Sequence, residues 1–303
     1  MKKHFNFLLI IITLILVTGC SQKTEEQSDF NSDSVKILAV GNSYTAGAVT
    51  YLYSILEGFG VEEIVIGNMY MPTTDVTDQR YYIENNMTVY TYRKNDTNSD
   101  SKGMFVETKN TPIENVINEE EWDIIIFPNM KRATICDLNK YCDEDFDYLL
   151  NYFNEKCPNV PIYWHMTWAF QSDYQDPIFT ALNNDQILMY EKIVGSVKEK
   201  ILPENRFTKI IPCGTAIQNA RTSYIGDTLT QDGYHLNALG NYIAGLTWVL
   251  CITDWDIGDF DTSYVPITFR NDFNVVYESV INAINKPYGI TNSKHSENRR
   301  KNK

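Results

Sequence analysis

Short apolar runs alternate with amphipathic stretches along most of this chain, and the alternation limits the folds that it can adopt. The runs are almost continuously apolar, which is typical of strands covered on both faces in a parallel sheet. Between them, apolar residues recur every three or four positions, as in helices that bury one face. The strand candidates are residues 35–40, 63–69, 122–127, 161–166 and 208–212, and the helix candidates are residues 45–58, 143–156, 185–200, 238–251 and 272–285. The pattern predicts a three-layer α/β/α sandwich with a mostly parallel five-stranded sheet.

A β-hairpin is predicted between the second and third of these strands. Residues 87–93 and 104–109 flank a polar cluster at residues 95–101 that is typical of a turn. The hairpin either forms part of the rim of a site or is a solvent-exposed decoration, and the sequence leaves both interpretations open.

The amino terminus has the form of a bacterial export signal. Lys2 and Lys3 precede an apolar stretch at residues 7–17, which is followed by Thr18-Gly19-Cys20. The stretch is too short to span a bilayer as a helix, and its end resembles a lipobox. We therefore expect a signal peptide over residues 1–19, cleavage before Cys20 and lipid attachment to the Cys20 sulfur, with a plain signal peptide or membrane anchor as the alternative. Residues 20–34 are polar without an apolar period and predict a flexible tether.

The net charge argues against nucleic-acid binding. The 303 residues carry a formal charge of −13, which becomes −15 once Lys2 and Lys3 leave with the signal. Such a surface repels phosphate backbones. Only the stretch at residues 294–303 is basic, and it lacks apolar residues. We therefore expect a disordered tail, which we place at residues 289–303.

The cysteines and motifs predict no metal or other cofactor. Acylation of Cys20 would leave five of the six cysteines. Cys136 and Cys142 are close enough in sequence to pair in an oxidising compartment, whereas the other three lie in or beside apolar elements. No Cys-x-x-Cys pair, convergent set of metal ligands or phosphate-binding loop is evident.

Two separated motifs supply the parts of a serine nucleophile. Gly41-Asn42-Ser43 follows the first predicted strand, at the sheet edge where open α/β folds bind ligands. Asp232-Gly233-Tyr234-His235 supplies an acid and a base three residues apart. A serine hydroxyl needs an imidazole to take its proton and a carboxylate to orient that imidazole. We therefore predict Ser43 as nucleophile, His235 as base and Asp232 as its partner, although capping of the following helices is the simpler alternative for both motifs.

An early serine followed by a late Asp-x-x-His resembles the SGNH (GDSL-like) hydrolase superfamily, within it a poorly characterised branch with a Gly-Asn-Ser motif. Two further segments look like parts of that branch, Trp-His-Met-Thr-Trp-Ala at residues 164–169 and Ile-Pro-Cys-Gly-Thr-Ala-Ile-Gln-Asn-Ala-Arg at residues 211–221. The resemblance covers residues 35–252 and implies an SGNH/flavodoxin-like fold with esterase activity.

The resemblance also implies an oxyanion hole with three donors: the Ser43 N–H, a glycine after the second strand and an asparagine after the third. Asn129 stands at the third position. No glycine occurs in the second loop, so the backbone N–H of Thr73 or Thr74 would have to replace it. A lost donor typically lowers turnover about a hundredfold or more.

Four further residues are expected around the substrate. We place His165, Trp168, Gln218 and Arg221 at the pocket wall. For Arg221 three interpretations stay open: it holds a substrate carboxylate, orients the Asp232 loop or forms a surface ion pair.

Together these features predict a hydrolase domain over residues 35–288 that acts as a monomer outside the cytoplasm. The expected activity is that of a serine esterase removing acetyl or other small acyl groups from a carbohydrate or small molecule, with the membrane contacted only through the lipid on Cys20. The alternative is a non-catalytic surface lipoprotein that binds a glycan or another ligand in a degenerate cleft, which the missing loop glycine favours. A lipase acting on membrane lipids is a third possibility.

Overall fold

The computed structural model describes residues 33–127, 131 and 134–296. The signal peptide, Cys20, most of the tether, Asn129 and residues 297–303 lie outside these ranges. Within the described ranges, no helix is both long and apolar enough to cross a bilayer.

A seven-stranded sheet forms the middle layer of the described chain, in the order β4-β3-β2-β1-β5-β6-β7. The strands β1, β2, β5, β6 and β7 are parallel and confirm the five predicted strands. Strand β3 runs antiparallel to both of its neighbours, β2 and β4. Their bounds are β1 Ser34–Gly41, β2 Glu63–Tyr70, β3 Tyr90–Asp96, β4 Val106–Thr111, β5 Ile124–Ile126, β6 Ile162–His165 and β7 Phe207–Ile211. The central strands are buried on both faces, which accounts for their continuous apolar sequences.

Helices cover both faces of the sheet, which confirms the three-layer α/β/α class. On one face α1, α2, α8, α9 and α10 pack together. The strand order reverses direction at β1, so the usual right-handed crossovers put α5 and α7 on the other face. Helix α3 packs against α5. The bounds are α1 Ser43–Val49, α2 Leu52–Gly58, α3 Val76–Glu84, α4 Ile113–Ile117, α5 Asp143–Lys156, α6 Pro177–Thr180, α7 Gln186–Lys200, α8 Cys213–Arg221, α9 Ala238–Thr253 and α10 Phe273–Asn285.

Five helical features differ from the sequence prediction, and the short helices α4 and α6 are two of them. The helix expected at residues 45–58 is interrupted between α1 and α2, where the Thr50 hydroxyl donates to the Ala46 carbonyl, a bond that tends to bend helices. No helix was expected at α3, because Gln79 lies among its buried residues and breaks the apolar period. Nor was α8 expected, since all nine of its residues are buried and its sequence therefore shows no exposed face.

The predicted hairpin is present as β3 and β4, and it extends the sheet. Asp96 pairs with Val65 near the start of β2, so the tip of the hairpin lies at the amino edge of the parallel strands. There Thr97 hydrogen-bonds to Tyr53 of α2, at 3.0 Å between the hydroxyl oxygens. Ser43 follows the carboxyl end of β1 and is at the opposite edge. The tip is therefore a decoration away from Ser43 and not part of a rim around it.

The chain after α10 runs along α8 instead of becoming a disordered tail at residue 289. The Thr291 N–H donates to the Asn219 side chain at 2.7 Å, and the Ser293 N–H donates to the Thr222 hydroxyl at 2.8 Å. The His295 carbonyl accepts from the Tyr224 N–H at 2.9 Å. Polar groups of α8 and of the turn after it thus satisfy the backbone of this segment, while Tyr288 and Ile290 pack against the core.

The cysteines in the described ranges are free thiols, so the pair considered for Cys136 and Cys142 is not formed. Cys213 is completely buried, and desolvation raises the pKa of its thiol well above the usual value. Burial likewise raises the pKa of Cys251 to about 12. These two thiols therefore stay protonated and pack as small apolar groups.

Candidate active site

Ser43 lies at the turn from β1 into α1. Asn42 caps α1, its side-chain oxygen accepting from the Tyr44 N–H at 3.0 Å, as the capping alternative had required. The Asn42 amide also donates to the Thr74 carbonyl at 3.0 Å, which ties this turn to the loop after β2. Because Asn42 is the cap, the Ser43 hydroxyl is available for another partner.

That partner is His235, and Asp232 completes a chain of three side chains. Ser43 Oγ is 2.9 Å from His235 Nε2, and His235 Nδ1 is 2.6 Å from Asp232 Oδ2. The side chains of His235 and Asp232 are 25% and 43% exposed, so both reach solvent. The structure thus brings together the three residues that the two motifs had suggested.

The Asp232 turn fixes the orientation of the imidazole. Asp232 Oδ1 accepts from the N–H groups of Tyr234 at 3.1 Å and His235 at 2.8 Å. Partial burial acts to raise the pKa of Asp232, but the His235 side chain and these two N–H groups outweigh it and lower the pKa overall. An ionised Asp232 accepts the proton on Nδ1 and leaves the Nε2 lone pair to accept from the Ser43 hydroxyl.

Two bonds from one neighbouring segment hold this turn. The Gly233 carbonyl accepts from the Gln171 N–H at 2.7 Å, and the Tyr234 carbonyl accepts from the Trp168 indole N–H at 2.7 Å. Trp168 was expected at a pocket wall, but its side chain is only 1% exposed. It therefore supports the triad turn from within the core.

Two candidate oxyanion donors can be placed. Among the described residues, the backbone N–H groups of Ser43, Thr73 and Thr74 have no hydrogen-bond acceptor. Thr73 is exposed and has a φ of 57°, in the left-handed region that favours glycine. The loop therefore has a backbone shape that glycine allows, although no glycine is present. Asn129, the third expected donor, lies outside the described residues.

Lys131 links the segment after β5 to the start of α3. Its amine is 2.9 Å from Asp75 Oδ2 and 2.8 Å from Asp78 Oδ2. Asp75 is the amino-terminal cap of α3 and directly follows Thr74. Burial acts to lower the pKa of Lys131, but both carboxylates together raise it, so the amine stays charged. This contact was not predictable from sequence, because Asp75 and Asp78 lie at the start of a helix that was not expected.

His165 belongs to the core and not to a pocket wall. Its side chain is 0% exposed, and Nδ1 accepts from the Trp248 indole N–H at 2.7 Å. Desolvation lowers the pKa of His165 to about 3, so the ring is neutral at physiological pH. His165 therefore does not compete with His235 as a base.

Gln218 and Arg221 are buried on α8 and likewise do not line a pocket. Arg221 Nε is 2.9 Å from Asp227 Oδ1. Desolvation lowers the pKa of Arg221 to about 10 against the opposing effect of Asp227, so the guanidinium remains charged. Of the three interpretations of Arg221, the surface ion pair is excluded by this burial.

A polar cavity of about 280 Å³ adjoins the Asp232 turn. Its lining includes Gln171, Asp173, Tyr174, Gln175 and Gln231. A larger cavity of about 440 Å³ lies beside β7, between apolar side chains and Lys209, and the triad does not line it. The smaller cavity borders the triad at Asp232 and Gly233, whereas Ser43 and His235 are not among its lining residues. No group of three or more His, Cys, Asp or Glu side chains in the described part of the chain is arranged to hold a metal ion.

Residues 36–284 match the family model of a domain of unknown function, DUF4886. The chain belongs to the DUF4886 family. A crystal structure of a DUF4886 family protein from Bacteroides uniformis is 31% identical in sequence, with a TM-score of 0.79 over 88% of this chain and 100% of that chain. The two family members thus share one fold over most of this chain and the whole of the other.

More distant solved structures match less well. A proposed GDSL-like lipase from Parabacteroides merdae is 16% identical, with a TM-score of 0.47 over 73% of this chain and 96% of that chain. A family 3 carbohydrate esterase from Clostridium thermocellum is 16% identical, with a TM-score of 0.41 over 71% of this chain and 93% of that chain. The comparison with curated proteins gives no match.

Proposed function

We propose that this DUF4886 protein is a serine esterase of SGNH type, lipid-anchored outside the cytoplasm, that removes acetyl or other small acyl groups from a carbohydrate or small molecule. The hydrogen-bonded chain Ser43–His235–Asp232 is the observation that carries the proposal. The chain has the order that transfers a proton from a serine hydroxyl to an imidazole held by a carboxylate.

In the proposed reaction Ser43 Oγ attacks the ester carbonyl while His235 Nε2 takes the hydroxyl proton. The negative charge on the carbonyl oxygen is stabilised by the N–H of Ser43 and that of Thr73 or Thr74, with Asn129 as a further donor. The alcohol leaves with the proton from Nε2, and an acyl group remains on Ser43. Water then attacks the acyl carbonyl and gives one proton to Nε2. His235 passes this proton to Ser43 Oγ as the bond between Oγ and the acyl carbon breaks, which releases the carboxylic acid and restores the Ser43 hydroxyl.

The alcohol that carries the acyl group is proposed to lie in the polar cavity beside Asp232. Amide and carboxylate groups of Gln171, Gln175 and Asp173 offer hydrogen bonds to hydroxyl groups, and Tyr174 offers an aromatic ring. No basic side chain is among the lining residues, and aliphatic ones are also missing there. An uncharged, hydroxyl-bearing alcohol fits this lining better than a phosphate or a long acyl chain does.

Hydrolysis of p-nitrophenyl acetate by the mature domain tests the proposal. We expect Ser43→Ala and His235→Ala each to lower kcat at least a hundredfold, because the nucleophile or its base is removed. Ser101→Ala is the matched control, since Ser101 lies at the hairpin tip on the opposite edge of the sheet. Equal background hydrolysis by all four proteins would reject the esterase.

The non-catalytic alternative is favoured by one observation, the exposed Thr73 side chain in the loop where the resemblance implies a glycine. If the threonine blocks the oxyanion position, Thr73→Gly should create hydrolysis that the wild type lacks. If wild type and Thr73→Gly are both inactive while a glycan binds, the chain is a binding protein.

A further inference from the structure

The buried Arg221 forms an ion pair with the partly exposed Asp227. The Arg221 side chain is 3% exposed, and its Nε is 2.9 Å from Asp227 Oδ1. The Arg221 Nη1 group donates to the Ala169 carbonyl at 3.0 Å and to Gln218 at 3.1 Å. The guanidinium thus contacts the chain just after Trp168 and does not face solvent.

Asp227 and Gln186 contact the same short segment. Asp227 Oδ2 accepts from the Ser172 N–H at 2.7 Å. The Gln186 amide donates to both Asp227 oxygens at 3.0 Å and to the Phe170 carbonyl at 2.7 Å. Three polar side chains therefore hold the backbone of residues 169–172 at Ala169, Phe170 and Ser172.

This segment is also the one that holds the triad turn from the other side. Gln171 donates through its N–H to the Gly233 carbonyl, and Trp168 donates through its indole to the Tyr234 carbonyl. His235 directly follows Gly233 and Tyr234 in the chain. A continuous set of contacts therefore runs from the ion pair, through residues 168–172, to the base.

A role in stability alone does not account for this arrangement. An ion pair is a weak source of stability at either extreme of burial, since exposed pairs contribute little and apolar residues of similar volume often replace buried pairs without loss. Here the charged and amide groups bind backbone atoms of one segment, so removing them frees that segment while the apolar core stays intact. The expected consequence is a shift of His235 relative to Ser43.

We propose that Arg221 and Asp227 are positioning residues that fix His235 in hydrogen-bonding distance of Ser43 by holding residues 168–172. The kinetic test of this proposal rests on the proposed esterase function. The spectroscopic test does not, because it measures only the hydrogen bond between His235 and Asp232.

The kinetic test uses p-nitrophenyl acetate with Arg221→Met and Arg221→Lys. A misplacement of about 1 Å typically costs a hundredfold in rate. We expect Arg221→Met to lower kcat about tenfold to a hundredfold with KM changed less than twofold, and Arg221→Lys to recover part of the loss by keeping the charge. Gln186→Met removes the hydrogen bond to the Phe170 carbonyl without leaving an unpaired charge. This variant replaces Arg221→Met in the test if Arg221→Met does not fold.

The matched control is Arg206→Met. Arg206 is 25% exposed and pairs with Glu204 and Asp147 before the start of β7, at the edge opposite Ser43. We expect this variant to lower the melting temperature while kcat stays within twofold of wild type. An equal loss of kcat in Arg206→Met and Arg221→Met, or an unchanged kcat in both Arg221→Met and Gln186→Met, overturns the positioning role.

The spectroscopic test measures the downfield proton resonance of the His235 Nδ1–H bonded to Asp232, assigned by its loss in His235→Ala. We expect it to shift or broaden in Arg221→Met or Gln186→Met and to stay in Arg206→Met. If the resonance keeps its wild-type position and width in both Arg221→Met and Gln186→Met, the proposal is overturned. This measurement needs no turnover. An inactive wild type would therefore reject the esterase function, while the resonance would still test the positioning role.

Discussion

Gly233 lies between Asp232 and His235, and replacing it with alanine tests how tightly the triad turn is constrained. Its φ is 97°, which L residues rarely adopt, at a cost of about 1–3 kcal/mol. A Cβ added at this position would lie 2.2 Å from Tyr174 Cδ2, and such overpacking costs about 1–3 kcal/mol. The lower backbone freedom of alanine in the unfolded chain returns about 0.4–1 kcal/mol. We therefore expect Gly233→Ala to destabilise the fold by about 1–6 kcal/mol.

A urea-unfolding series separates these contributions. Gly60 has a φ of 84° and nothing within 4 Å of its added Cβ, so Gly60→Ala reports the backbone cost alone. Tyr174→Ala in the Gly233→Ala background removes the collision, and the double-mutant cycle should give a coupling of about 1–3 kcal/mol. We also expect kcat to fall in Gly233→Ala and not in Gly60→Ala. A Gly233→Ala protein within about 0.5 kcal/mol of wild type, or one that Tyr174→Ala does not relieve, would refute this description of the turn.

Three other substitutions test separate parts of the account. Asp232→Asn should lower kcat about ten-thousandfold, because the amide favours the wrong imidazole tautomer. Since the pKa of Asp232 is lowered on folding, its stabilisation is present above the unfolded-chain pKa and lost as the pH falls through the folded pKa, so urea midpoints of wild type and Asp232→Asn should converge in acid. Thr73→Gly should raise stability by up to about 1 kcal/mol in urea unfolding and keep kcat, because it relieves the left-handed φ and retains the N–H; a tenfold loss of kcat would contradict this. His165→Phe should destabilise by about 1–3 kcal/mol, as the Trp248 N–H loses its acceptor, while KM stays unchanged; a raised KM would return His165 to the pocket wall.

The parallel strands were predictable because burial on both faces requires a continuous run of apolar residues, which is visible in the sequence. Helix α8 left no such mark: it is buried on every side, yet it carries Gln218, Asn219 and Arg221, whose partners are backbone groups and side chains far away in the chain. Its polar composition was therefore interpreted as a pocket-facing cluster. Where burial and polarity coincide, sequence periodicity does not identify a helix.

Ser43, Asp232 and His235 were predictable because their chemistry needs particular side chains, and only two of the four histidines fall within the domain predicted over residues 35–288. The groups that hold them were not. Gln171 acts through its backbone N–H, and Trp168 through an indole that sequence alone placed at a pocket wall. Such contacts depend on the packing of distant segments, so the nucleophile and base can be predicted from sequence while their support cannot.

The most direct test of the central claim is to map the adduct formed with a fluorophosphonate probe. An activated serine, but no ordinary surface serine, reacts with such a probe. After incubation of the mature domain and proteolysis, the account predicts a single phosphonylated peptide with the modification on Ser43, and no adduct in His235→Ala. An unmodified Ser43, or an adduct that persists in His235→Ala, would contradict the assignment of Ser43 as a nucleophile activated by His235.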